Sequence, residues 1–452
     1  MNSNIIETKT IDINGVEAQL SINGYLDEKM YSFTHKSGLK VRIFPKKGFS
    51  KYYAIYGTEY GSIDREFVVP GETELTTVPD GIAHYLEHKM FEQSDGKNAF
   101  DMFALTGASA NAFTSFDMTA YLFSCTDKFY DSLDILISFV NEPYFTEENV
   151  QKEQGIIGQE IKMYEDDPSW RVFFNALTAL YHNNPVKIDI AGTVESISHI
   201  TPEILYKCYN TFYNPSNMTL VLVGDIEPEK VLDCLDKHIN PERNLGEIER
   251  PRLTEPDEFF KSRVEQELMV SQPLFQIGFK DNTLYTDGEE LLKREIMTDV
   301  ILEVIFGKSN DFYMSLYEQG LINQSFGSES ELEKRFGFTL IGGESKDPDK
   351  VFELVKAEIN KTIESGLDKE SLERAKKTTQ ASLIKLFNSI EGMGNAFIRQ
   401  IMCGVNPLSL ANIIDEIAEE EYNERLKKYF NTDNCVLSVV RPVSAQKGGD
   451  SN

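Results

Sequence analysis

Gly81-Ile82-Ala83-His84-Tyr85-Leu86-Glu87-His88-Lys89-Met90-Phe91 is the stretch around which this chain is organised. The 452 residues hold only 6 histidines, and two of them stand here four apart, with a glutamate directly before the second. Four residues is slightly more than one helical turn, so on a helix His84 and His88 project from one face and both imidazoles can reach one metal ion. Glu87 lies beside that face. Two neutral imidazoles and a nearby carboxylate suit Zn²⁺, which takes nitrogen and oxygen ligands tetrahedrally and in catalytic sites keeps one position for water. Zinc lowers the pKa of such a water to about 7, and a carboxylate next to the metal but not on it can take the proton as the water attacks a carbonyl. Glu87 is the candidate for that base. The bland alternative is a solvated helix with two incidental histidines.

Upstream, residues 39–45 alternate as a half-buried strand and residues 52–63 as a second. The polar, punctuated residues 71–79 read as a loop into the metal helix, with Asp80 as its N-cap and an end near Phe91 to Ser94. Downstream come a strand region at residues 107–125 and helices from about Lys128 and from Thr146. A third metal ligand is sought there, because catalytic zinc usually has three from the protein. Glu153 and Glu160, seven apart, share a helix face beside the apolar Ile156, Ile157 and Ile161. Glu160 is the better ligand, with Glu153 supporting it. Glu165 is the rival, placed where the helix ends before Asp166-Asp167-Pro168.

The order His-x-x-Glu-His reverses that of the common zinc proteases and is the inverted zincin signature. Together with Asn111-Ala112-Phe113-Thr114-Ser115, Glu153 to Glu160, Ala191-Gly192-Thr193, and Tyr213-Asn214-Pro215-Ser216-Asn217-Met218 leading into Val221-Leu222-Val223-Gly224-Asp225, it carries a resemblance. The chain resembles the pitrilysin, insulinase and mitochondrial-processing-peptidase family of zinc metallopeptidases, in its half-length bacterial type. The resemblance implies one Zn²⁺ per chain on His84, His88 and Glu160, with Glu87 as base and Glu153 in support. The separation of His88 and Glu160, 72 residues (160 − 88), is close to the family interval. It also implies that Ala110, Asn111, Ala112, Phe113 and Thr114 form a sheet edge where an extended peptide adds as a strand. A free edge binds peptide through main-chain hydrogen bonds and tolerates varied sequences.

The net charge of −28 with no basic stripe excludes a nucleic-acid binder, and 41% hydrophobic residues fit a globular chain. No basic flank and apolar core open the sequence, and no apolar run reaches membrane-spanning length; the expectation is a cytoplasmic protein without a membrane partner. Cys125, Cys208, Cys234, Cys403 and Cys435 are scattered and read as reduced core residues. His35, His182, His199 and His238 have no partner at ligand spacing, Trp170 reads as a packing anchor, and residues 446–452 as a disordered tail.

An internal repeat supplies the architecture. Residues 206–225 and 423–442 both read as a helix, an aromatic pair, an asparagine and an apolar strand, Asn217 and Asn434 standing 217 apart (434 − 217). Phe91 and Phe306 repeat at 215 (306 − 91), each followed by a Gly-Lys pair, Gly96-Lys97 and Gly307-Lys308. The expected organisation is a zinc-bearing N-terminal domain at 1–240, a linker at 241–259 and a C-terminal repeat domain at 260–452. The second domain has Asp299, Leu302 and Glu303 at the metal positions, so no second zinc site is expected. The fold class is α+β: two duplicated domains, each a largely antiparallel sheet with helices packed on one face.

One departure bears on mechanism. Active members of the family present an Arg and, seven residues later, a Tyr from a second-half segment; the matching segment here has Tyr317 at the Arg and Asn323 or Gln324 at the Tyr. Loss of one oxyanion donor typically costs about a hundredfold or more. Half-length members act as dimers, and in some a paralogous subunit supplies the Arg and Tyr. The expectation is therefore a zinc metalloendopeptidase hydrolysing short or unfolded peptides in a chamber, as the metal-bearing subunit of such a heterodimer, otherwise a homodimer. The alternative is a non-catalytic peptide-binding or scaffold subunit of a processing complex.

Overall fold

The computed structural model describes residues 6–243 and 245–443; the tail expected at 446–452 lies outside them. The chain forms two compact units. One holds the residues up to 161, 189–252 and 381–413, and the other 162–188, 253–380 and those from 414 onward.

The first unit is built on an eight-stranded sheet. Its strands are β1 (Ile6–Ile13), β2 (Val16–Asn23), β3 (Glu28–Thr34), β4 (Lys40–Pro45), β5 (Tyr52–Thr58), β8 (Ser109–Thr114), β9 (Thr119–Cys125) and β10 (Met218–Gly224), while β6 (Glu66–Val68) and β7 (Leu75–Thr77) make a separate hairpin. The order is β1-β2-β3-β4-β10-β5-β9-β8, so β8 forms one edge. Only β4 and β10 pair in parallel. β10 is buried along its whole length, as a strand covered on both faces must be, and its Met-Thr-Leu-Val-Leu-Val run is accordingly continuous rather than alternating.

The second unit repeats this plan. β11 (Arg263–Leu268), β12 (Leu274–Lys280), β13 (Gly327–Leu332), β14 (Gly337–Glu344) and β15 (Val436–Pro442) form a sheet of order β11-β15-β12-β14-β13. This is the order β4-β10-β5-β9-β8 of the first unit, again with one parallel pair, β11 and β15. β8 and β13 begin 218 residues apart (327 − 109), and so do β10 and β15 (436 − 218). The largely antiparallel, duplicated α+β fold is thus present, with long helices at Pro348–Ser365 and Lys369–Leu386.

Helices of the first half cover one face of its sheet, where Tyr52 stacks on Phe129 and Phe123 meets Phe103. The opposite face is covered from far along the chain by the helix Ile390–Met402. Tyr53 Oη donates to Asn395 Oδ1 at 2.7 Å. Gly394 permits this approach, since a Cβ there would sit 2.3 Å from the Tyr53 ring, and a Cβ on Gly57 would sit 2.8 Å from Ile398. The second unit receives the counterpart: helix Pro168–Leu180 lies on β12 and β15, with Leu180 against Gly278. Trp170 on that helix stacks on Tyr164 at 4.7 Å, a packing role.

The stretch expected as a linker is pinned by charge. Arg250 Nε meets Asp64 Oδ1 at 2.7 Å, and the buried Glu255 accepts the backbone N–H groups of His182, Asn183 and Asn184. All five cysteines are free and four are buried. Among the described residues no helix is long and apolar enough to cross a membrane.

Candidate metal centre

The helix Ile82–Met90 starts on Gly81, not on an Asp80 cap. Gly81 holds φ 90°, a left-handed conformation, and a Cβ there would meet the Ala191 carbonyl oxygen at 2.3 Å. Gly192 answers from the other side, where a Cβ would lie 2.5 Å from the Asp80 carbonyl oxygen. Ser196 Oγ donates to that same oxygen at 2.8 Å, while the Asp80 carboxylate pairs with Arg65. Two backbones in contact leave no room for a side-chain cap. The Ala191-Gly192-Thr193 motif therefore seats the first turn of the helix that carries the histidines.

His84 and His88 project together, ring centroids 4.6 Å apart. The helix Glu147–Asp166 brings Glu160 opposite them: its Oε1 is 3.7 Å from His84 Nε2 and its Oε2 3.5 Å from His88 Nε2. One donor atom from each residue lies within 4.8 Å of the others, and among the described residues no other group of three such side chains does so. Bonds of about 2.0–2.1 Å to a tetrahedral ion put ligand atoms roughly 3.3–3.5 Å apart, so the donors are spaced to hold one ion after small adjustment. The donor chemistry fits as well. Burial, and then the neighbouring His88, lower the His84 pKa to about 4, which keeps its imidazole neutral with a lone pair to give. Glu165 is exposed and outside the group, as is Asp299, whose carboxylate accepts from Ser330 Oγ.

Glu153 reaches His88 from behind: its Oε1 lies 3.1 Å from Nδ1. That partner fixes the Nδ1–H tautomer and leaves Nε2 free to face Glu160. Burial alone would lower the His88 pKa, but the Glu153 hydrogen bond and the charges of Glu87, Glu160 and Glu153 raise it above its usual value. Burial likewise opposes the Glu153 anion, and the hydrogen bond and charge of His88, with help from Lys89 and Lys152, pull its pKa down. Lys89 was not singled out by the spacing argument. It is fully buried, meets Glu92 Oε2 at 2.5 Å and stands 4.0 Å from Glu153 Oε2.

Glu87 is buried on the same helix, and its Oε2 accepts from Thr114 Oγ1 at 2.6 Å. Burial pushes its carboxyl above the ordinary range, Glu160 adds to this, and the Thr114 hydroxyl and His88 act against it. The buried Tyr121 and Tyr213, hydroxyls 2.8 Å apart, both feel the charge of Glu87, which ties the Tyr213-Asn214-Pro215 motif to its surroundings. Ala110, Asn111, Ala112, Phe113 and Thr114 all lie on the edge strand β8. Of these, Thr114 turns its side chain to Glu87. In the second unit, Tyr317 is exposed and stacks on Tyr313, and Asn323 Nδ2 donates to Glu344 Oε2 at 2.6 Å. His35 is held by Ser37 and Asp236, and His238 meets Asp134 at 3.2 Å.

Comparison with known proteins converges on one group. Residues 73–194 match the family described as Insulinase (Peptidase family M16), and residues 199–379 match the Peptidase M16 inactive domain. The chain is 42% identical over 421 residues to YmfH of Bacillus subtilis (strain 168), described as an uncharacterized zinc protease, covering 93% of this chain and 98% of that protein. An M16-like peptidase from Alicyclobacillus acidocaldarius superposes with a TM-score of 0.87 at 34% identity, over 92% of this chain and 99% of that one. Pitrilysin shares the fold at 16% identity and a TM-score of 0.71, with 97% of this chain matching 47% of the pitrilysin chain.

Proposed function

This chain belongs to the insulinase family of peptidases, M16, and from that premise we propose that it is a zinc metalloendopeptidase acting on short or unfolded peptides. The observation that carries the reading is the convergence of His84 Nε2, His88 Nε2 and a Glu160 oxygen, with the buried Glu87 carboxylate on the same helix. A bound zinc ion would polarise the attacking water and the scissile carbonyl.

The chain's own residues do the rest. Glu87, whose pKa burial raises, accepts the proton of the water and passes it to the departing amine. Thr114 holds the other side of that carboxylate in place. Glu153 keeps the His88 ring turned toward the ligand position. The peptide lies along the free edge of β8, its backbone pairing with Ala110 to Thr114 and its side chains alternating between the two sides.

The pairing of subunits belongs to the same proposal. The matched pitrilysin chain is about twice as long as the region it shares with this one, which supports a working unit of two half-length chains. With Tyr317 and Asn323 at the segment where the family has Arg and Tyr, the favoured partner is a paralogue that supplies them; a homodimer comes second. A non-catalytic scaffold role is disfavoured by the intact ligand set. Five free cysteines favour a reducing, cytoplasmic setting.

The test is mass spectrometry of a peptide library incubated with the zinc-loaded chain, with Glu87→Gln alongside. Chelator-sensitive cleavage absent from the variant supports a self-sufficient peptidase. Zinc bound without cleavage, with activity restored by a half-length paralogue, supports the heterodimer. No cleavage with any half-length partner overturns the enzymatic reading.

A further inference from the structure

Lys89 is a buried ionisable group on the helix of the two histidines that the proposed reaction leaves unused. Its side chain is 1% exposed, and it stands on the metal helix among the buried Tyr85, Leu86 and Met90. An ammonium in such a place is strongly disfavoured unless carboxylates meet it. Two do, Glu92 Oε2 at 2.5 Å and Glu153 Oε2 at 4.0 Å.

The fold by itself does not call for a cation here. A methionine of similar length would fill an apolar position of this kind, and Glu92, about a third exposed at 35%, could turn to water without its partner. What a methionine could not do is hold Glu153. That carboxylate is a pivot: Oε1 faces His88 Nδ1 at 3.1 Å and Oε2 faces the Lys89 ammonium. Rotation of the carboxylate about its own axis would lose both contacts together.

We propose that Lys89 is a positioning residue of the metal centre, fixing Glu153 so that its Oε1 stays on His88 Nδ1–H and the His88 Nε2 lone pair stays aimed at the point shared with His84 and Glu160. The inference rests on the reading of that cluster as a zinc centre. It adds one more link to the chain behind the ligand: Glu92, Lys89, Glu153, His88. Partners of ligating histidines typically change metal affinity by about 10–100-fold when removed, and Lys89 acts on such a partner rather than on the ligand.

The experiment measures zinc affinity by chelator competition on the full chain, for the wild type, Lys89→Met, Lys89→Arg, Glu153→Gln and the double variant Lys89→Met/Glu153→Gln. Urea unfolding of each metal-free form runs in parallel. Lys89→Met is expected to weaken zinc binding roughly 10-fold, and Lys89→Arg to recover most of that loss. In the Glu153→Gln background Lys89→Met is expected to change the affinity by less than about 2-fold, because its effect runs through Glu153.

A purely structural lysine would lower the urea midpoint and leave the zinc affinity alone, or cost the same factor in both backgrounds; either result overturns the proposal. Should Lys89→Met not fold, Lys89→Gln takes its place in the same cycle, with the visible spectrum of the Co²⁺-loaded protein reporting ligand geometry. A wild-type chain that binds no zinc overturns the reading of the centre itself, and does so before any variant is compared.

Discussion

The hydroxyl of Thr114, the last residue of the edge strand β8, donates to Glu87 Oε2 across 2.6 Å. The strand proposed to receive the peptide and the carboxylate proposed to take the proton are therefore joined by one hydrogen bond. Replacing Thr114 by Val removes the donor and keeps the shape. Hydrogen bonds to charged groups contribute about 1.5–3 kcal/mol, so kcat is expected to fall roughly 10- to 100-fold. KM and bound zinc should stay near wild type, and Thr114→Ser should restore most of the rate. Steady-state kinetics with zinc analysis checks this; loss of zinc in Thr114→Val would assign the residue to the metal rather than to the base.

Glu87 and Glu160 are separable by their losses. Glu160→Gln is expected to release zinc, because a neutral amide replaces the one anionic ligand. Glu87→Gln should keep a full zinc content and lose cleavage by about 10²–10⁴-fold, the usual worth of a general base. Elemental analysis of the two purified variants decides, and equal zinc loss in both would contradict the assignment.

In the metal-free chain His84 should make stability fall on mild acidification. His84 has its pKa lowered to about 4 by burial and by His88, so the folded state binds fewer protons than the unfolded state between pH 4 and its ordinary value near 6.5. Stability from this residue is present above the unfolded pKa and is lost as pH falls through that window, by up to about 3 kcal/mol. His88 has the opposite sign: its raised pKa contributes stability that is full below the ordinary histidine value and is lost as pH rises through the folded one. Urea midpoints of the chelator-treated protein and of His84→Gln between pH 4 and 8 test the pair. The wild type is expected to show the steeper loss below 6.5, and parallel curves would remove His84 as its source.

Gly81→Ala is expected to unfold early. The position needs φ 90°, and the new methyl would meet the Ala191 carbonyl oxygen at 2.3 Å. Left-handed strain alone costs of order 1–3 kcal/mol, and the displaced backbone carries the first turn of the metal helix. Thermal melts should show the loss in the metal-free and zinc-loaded forms alike.

Legibility in the sequence followed the range of each interaction. His84, His88 and Glu87 were readable because one helical turn fixes their spacing, and Glu160 with Glu153 because two turns put them on one face. The repeat was readable because Asn217 and Asn434 stand in equivalent places between a helix and the strand that follows it. Asp80 failed as an N-cap because the deciding contact comes from Ala191, 110 residues away (191 − 81 from the glycine it touches), and no local propensity carries such information. Thr114 was expected to offer backbone to a peptide, and its side chain proved to serve Glu87. Lys89 escaped because a lysine in an amphipathic pattern reads as solvent-facing, and only the fold shows it enclosed. The cover on the second face of each sheet escaped for the same reason: nothing in the Ile390–Met402 segment names Gly57 and Tyr53 as its neighbours.

That last exchange bears on the order in which the molecule can be made. The histidines and glutamates of the cluster are all synthesised before residue 161, yet the face of the sheet behind them stays bare until Ile390–Met402 arrives. At translation speeds of about 5–20 residues per second, the intervening stretch takes on the order of ten seconds or more to emerge. Until then Tyr53, Ile55 and Gly57 lack the neighbours that Asn395, Gly394 and Ile398 give them in the folded chain. A nascent chain of this design carries its candidate metal ligands early and receives the last piece of the scaffold around them late.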